Sequence, residues 1–103
     1  MPRYICKFPV DGTDYYLEWS SIVDAPVTYG MTLDEFRCYY QEEYGNQGMK
    51  GLDERLQRVD EIGHSDRICR EPIREWIKGN RAGKGEKEAT YDEIIDTFIR
   101  SRM

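Results

Sequence analysis

The chain has 103 residues, of which 39% are hydrophobic and 34% charged, with a formal net charge of −5. That length supplies one hydrophobic core and not two, so a single domain over residues 1–103 is expected, and 13% aromatic content with eight tyrosines argues against wholesale disorder. No run approaches the roughly 18 apolar residues of a membrane span, and Met1-Pro2-Arg3-Tyr4 has no apolar signal-peptide core. The expectation is therefore a cytoplasmic protein with no membrane contact.

In chain order, Tyr4, Cys6, Phe8 and Val10 alternate with Arg3, Ile5 and Lys7, the period of two that a strand with one buried face requires. Asp11-Gly12-Thr13-Asp14 supplies turn chemistry, so a β-hairpin follows. Its second strand is predicted over residues 15–23, with Tyr15, Leu17, Trp19, Ser21 and Val23 on one face. Pro26 is expected to end that strand, because proline removes a ladder donor. At least two of Trp19, Val23 and Pro26 are read as closing the hairpin onto the core.

Thr32-Leu33-Asp34-Glu35 is a capping box, and Leu33, Phe36, Tyr40 and Tyr44 then recur at helical spacing up to a stop at Gly45. A second helix is predicted over about residues 52–62, carrying Leu56 and Val59 inward and ending before Gly63. A short third helix after Pro72 carries Ile73, Trp76 and Ile77. Residues 79–87 hold three glycines and no periodicity, which predicts a loop. Thr90-Tyr91-Asp92-Glu93 repeats the capping box ahead of an amphipathic helix with Tyr91, Ile94, Ile95, Phe98 and Ile99 on one side. The fold class is α+β: an N-terminal antiparallel hairpin, with room for a third strand, packed against three or four helices.

Charge is unevenly distributed. Residues 11–61 contain twelve acids against four bases, a balance of −8, whereas residues 67–87 contain seven bases against three acids, a balance of +4. Such asymmetry speaks to partners and association rates. In the acidic half, Glu42, Glu43, Asp53 and Glu54 are candidates for a surface that meets a basic partner. In the basic half, Arg67, Arg70, Arg74 and Lys78 fall three to four apart, but overall acidity disfavours direct nucleic-acid binding.

Three cysteines, Cys6, Cys38 and Cys69, lie far apart with no CxxC, so neither a disulfide framework nor a zinc site is indicated, and Cys6 and Cys38 fit core positions. No cofactor or metal is expected. His64 lies near Asp60, Glu61 and Asp66, yet no nucleophile signature accompanies it, and the sequence offers no catalytic residue. The segment from Gly79 to Lys84 departs from a phosphate loop in its glycine spacing and in Gly85 following the lysine. It still permits a second reading, in which Arg81 and Lys84 contact the phosphate of a nucleotide-like ligand and Tyr16 or Tyr29 stacks on its base.

The stretch from Leu17 to Met31, LEWSSIVDAPVTYGM, resembles one found in small uncharacterised bacteriophage and prophage proteins, over roughly the first sixty residues. The resemblance carries no catalytic residues. It implies a bacterial host cytoplasm, where short acidic proteins inhibit host defence components. The function expected is thus a non-catalytic protein-binding module, of the phage inhibitor type, acting through its acidic surface on a protein partner. A homodimer is compatible with so small a domain.

Overall fold

The alternation in the first twenty residues becomes an antiparallel hairpin in the computed structural model, which describes residues 3–102; Met1, Pro2 and Met103 lie outside the described residues. Strand β1, Arg3–Val10, pairs with β2, Thr13–Ser20, with Tyr4 opposite Trp19, Cys6 opposite Leu17 and Val10 opposite Thr13. Asp11 and Gly12 both take positive φ, 51° and 82°, as a two-residue type I′ turn requires.

The second strand stops earlier than its pattern predicts. The Ser20 hydroxyl accepts from the backbone N–H groups of Ile22 (3.2 Å) and Val23 (3.5 Å), and Asp24 takes a φ of 54°, so residues 21–24 reverse the chain. A local side-chain bond of this kind competes with the ladder. Pro26, expected as a terminator, instead lies in a short strand β3, Ala25–Pro26, opposite Trp19. Proline is tolerated there because β3 is an edge. The sheet order is β1-β2-β3, and Met31 adds a bridge to Tyr16 beyond β3.

Both sheet faces are covered, which explains why Tyr16 through Ser20 are all buried although the hairpin was read as one-sided. One face packs Cys6, Phe8, Leu17 and Trp19 against Ile77, Ile94, Ile95 and Ile99. The other packs Ile5 and Tyr16 against Phe36, Tyr40, Leu52, Leu56 and Val59. Trp19 and Pro26 join the interior, whereas Val23 is exposed.

Helix α1 spans Leu33–Ile62 and opens with the expected capping box, Thr32 and Glu35 satisfying each other's backbone donors. Gly45 does interrupt it, with φ 64° and ψ −163°, a region open almost only to glycine. The helix resumes at once, so residues 46–51 are helical where a connector was expected. Gly63 closes α1 with a left-handed cap. A single turn, α2, Ile73–Trp76, and helix α3, Tyr91–Phe98, follow, and the second capping box forms at Thr90 and Glu93. Between them, residues 79–87 are irregular except for a 3₁₀ turn at Lys84–Glu86. The buried Asn80 amide holds this segment closed, donating to the carbonyls of Ile77 and Ala89 and accepting from the N–H groups of Ala82 and Ala89.

Cys6 is buried as expected, but Cys38 is exposed, which corrects its placement in the core. Phe36 and Tyr40 take the inward positions of that helix, and residue 38, about 200° away from 36, faces outward. No helix among the described residues is long and apolar enough to cross a membrane.

Candidate functional site

The most open apolar surface follows β2. Ile22, Val23, Val27, Tyr29 and Leu33 are all exposed within one short stretch of chain. Their exposure follows from local structure. The turn at residues 21–24 projects Ile22 and Val23 outward, and the irregular edge at 27–31 stays tied to β2 by bonds from Val27 N–H to the Glu18 carbonyl (2.9 Å) and from Met31 N–H to the Tyr16 carbonyl (2.8 Å). Gly30 lets this edge approach the C-terminal helix closely, since a Cβ there would lie 2.6 Å from Cγ1 of Ile99.

Beside this edge lies a cleft of about 500 Å³, walled by Tyr15, Tyr29, Tyr39, Glu35 and Arg102. Arg102 lies over the Tyr29 ring at 4.8 Å from its centroid. The outer face of the first half of α1, which starts at Leu33, is exposed at Asp34, Glu35, Cys38, Gln41 and Glu42, with Arg37 beside it paired to Asp53. Along the chain, exposed apolar residues are thus followed directly by an acidic helix face. Aromatic anchors beside a pocket with a charged surround are the usual makeup of a protein interface.

The four carboxylates singled out in the sequence differ in surroundings. Glu42 and Glu43 are exposed and make no ion pair among the described residues. Asp53 pairs with Arg37 (3.1 Å), and Glu54 accepts from both Arg58 (2.9 Å) and Arg67 (2.8 Å). Of the second set, Arg81 uses its backbone N–H on the Asp24 carbonyl (2.8 Å) and its guanidinium on the Ile22 carbonyl (3.2 Å), so it braces the turn at residues 21–24. Lys84 is exposed on the 3₁₀ turn. Tyr29 is exposed, but Tyr16 is buried against Phe36 and offers no ring face to a base, because it points into the core beneath α1. The bases at 67, 70, 74 and 78, spaced three to four apart, do not share one helix: Arg67 and Arg70 lie outside any helix, bonded to Glu54 and Glu61.

Two buried polar clusters were not foreseen. Glu18 is 2% exposed, and its carboxylate accepts from the hydroxyls of Tyr39 and Tyr44, the latter at 2.7 and 2.9 Å, and from Arg3 at 3.4 Å. Burial and these bonds to Glu18 push the Tyr39 phenol well above its ordinary value. The signal in sequence was slight: an acid between Leu17 and Trp19, with tyrosines at 39 and 44.

His64, although flanked by acids in sequence, is completely buried. It bridges to Cys6 at the outer edge of β1 and stacks on Trp76 at 4.5 Å. Its Nδ1 accepts from the Asp66 N–H (3.2 Å), which places the proton on Nε2, the donor to the Glu71 carbonyl (2.6 Å). Burial lowers its pKa and keeps it neutral. Burial opposes charge on Asp66, but donation from Trp76 Nε1 (3.0 Å) and from the N–H groups of Ile68 and Cys69 outweighs it and holds the carboxyl below its ordinary range. With every polar atom partnered, this cluster clamps the segment after α1 to β1 and α2. Among the described residues no group of His, Cys, Asp and Glu is arranged to hold a metal ion.

Compared with protein-family models, curated proteins and solved structures, the chain matches none.

Proposed function

We propose that the chain is a non-catalytic binding module whose partner is a protein with an apolar groove flanked by basic side chains. The observation that carries this reading is the exposed strip Ile22, Val23, Val27, Tyr29 and Leu33, continuing in sequence into the acidic outer face of α1. Contiguous exposed apolar residues rimmed by charge mark interaction surfaces. The cleft beside Tyr29 is of a size to accept an anchoring side chain from the partner. Within this reading Glu42 and Glu43 steer the encounter, while Asp53 and Glu54 are engaged by their own arginines.

The finer assignment, inhibition of a bacterial host defence protein in the host cytoplasm, rests on the resemblance of residues 17–31 to phage proteins. The test is capture of partners by the strip: Val27→Asp with Tyr29→Ser should abolish it. Reversing Glu42 and Glu43 to lysine should instead slow association and weaken its salt dependence, since rim charges act mainly on the on-rate. Capture unaffected by the strip variant refutes this surface.

A further inference from the structure

The overall charge is −5, yet four arginines drawn from distant parts of the chain line one cavity. Arg3 from β1, Arg55 and Arg58 from α1, and Arg67 from the following segment surround about 210 Å³. Arg3 and Arg55 also line a second cavity of about 280 Å³, whose other walls include Tyr40, Tyr44, Gln47 and Glu18, the last engaged by Arg3, Tyr39 and Tyr44. Gathering like charges costs Coulomb energy that an anion would relieve.

The donors are only partly used. Arg55 is half-buried and makes no hydrogen bond or ion pair among the described residues. Arg3 bonds Glu18 and Tyr44 through one terminal nitrogen, and Arg67 uses one nitrogen on Glu54. Arg58 donates through Nε to the Ser65 carbonyl (3.1 Å) and through one terminal nitrogen to Glu54. The carboxylate lining the cavity, Asp66, has its oxygens occupied by Trp76 and two backbone N–H groups. Glu54, outside the cavity lining, competes for two of these arginines: it bridges Arg58 and Arg67, which, Arg67 foremost, lower its pKa.

We propose that this arginine cavity is a binding site for the phosphate group of a small phosphorylated molecule, with the rest of that molecule in the adjoining tyrosine-lined cavity. Guanidinium forks match phosphate oxygens with paired, charge-assisted bonds. The two cavities together fall in the range of roughly 300–1,000 Å³ typical of small-ligand sites. This site is separate from the glycine-rich loop and independent of the apolar strip.

The site is tested by titrating the full chain with inorganic phosphate, adenosine monophosphate and adenosine while following backbone amide NMR shifts. The monophosphate should bind more tightly than phosphate, shifting the amides of Arg55, Arg67 and Gly48, and adenosine should not bind. Arg55→Gln should weaken the monophosphate about tenfold or more, as loss of a charge-assisted bond implies. Glu54→Gln, which removes the competing carboxylate, should strengthen it severalfold. No saturable shift with either phosphate compound, equal binding of adenosine, or binding unchanged in Arg55→Gln would overturn the proposal. The opposite signs expected of the two variants distinguish the site from a general loss of folding.

Discussion

Glu18 and His64 are the two residues whose burial demands most of their neighbours. Removing the Glu18 carboxylate leaves two phenols without their acceptor and Arg3 with only the Tyr44 hydroxyl. Glu18→Ala should therefore cost about 1–3 kcal/mol, and Tyr44→Phe about 1 kcal/mol, in urea unfolding. Arg3, being 40% exposed, recovers solvation and keeps the first figure from rising further. For His64 the sign of the pH effect follows from its lowered pKa. The unfolded histidine takes up a proton near 6.5 while the folded one resists it. Its contribution is therefore fully present above that pH and is lost as pH falls from 6.5 through the folded-state value. Melting temperature should drop between pH 7 and pH 5, and His64→Gln, which cannot charge, should flatten that limb. A slope equal to the parent's would show that other groups set it. Asp66 acts in a separate window, losing its contribution only below its ordinary value of 3.8.

At the scale of elements, Gly45 and Gly51 on α1 give opposite expectations. Gly45 holds a backbone conformation nearly closed to other residues, so Gly45→Ala should destabilise by about 1–3 kcal/mol. Gly51 lies on the same helix with open space around its Cβ position, so Gly51→Ala should stabilise by about 0.5–1 kcal/mol. Thermal melts of the pair would show whether the break at Gly45 is built into the native state. The same elements show what was legible in sequence. Both capping boxes, the hairpin turn and the apolar stripe of α3 were readable, because each is a local pattern with its own chemistry. The early end of β2 was not, since it depends on the Ser20 hydroxyl bonding its own following turn. Helical residues 46–51 were missed because a lone glycine at 45 signals an end and does not show that the chain resumes.

At the scale of the molecule, a three-stranded sheet covered on both faces leaves function to its edges and to helix exteriors. β1 is closed at its outer edge by residues 63–65, through bonds from Lys7 N–H to the Gly63 carbonyl and from Ser65 N–H to the Ile5 carbonyl. On the opposite side the Gly30 N–H bonds the Phe98 carbonyl (2.7 Å), while Ile22, Val23, Val27, Tyr29 and Leu33 stay exposed along that edge. Sequence reading reached the acidic character of that half but not the arginine cavity, whose members are separated by up to 64 positions and converge only through tertiary packing. Nor did it find the strip itself: Tyr29 was singled out only as a stacking residue, and Val23 looks no different from a core residue until the turn at Asp24 directs the chain outward.

The claim that this edge binds a protein is tested most directly by affinity capture from bacterial lysate with the parent chain and the Val27→Asp/Tyr29→Ser variant side by side, quantified by mass spectrometry. The account predicts a partner retained in stoichiometric amount by the parent and lost by a folded variant. A partner held equally by both, or none held by either, would contradict it.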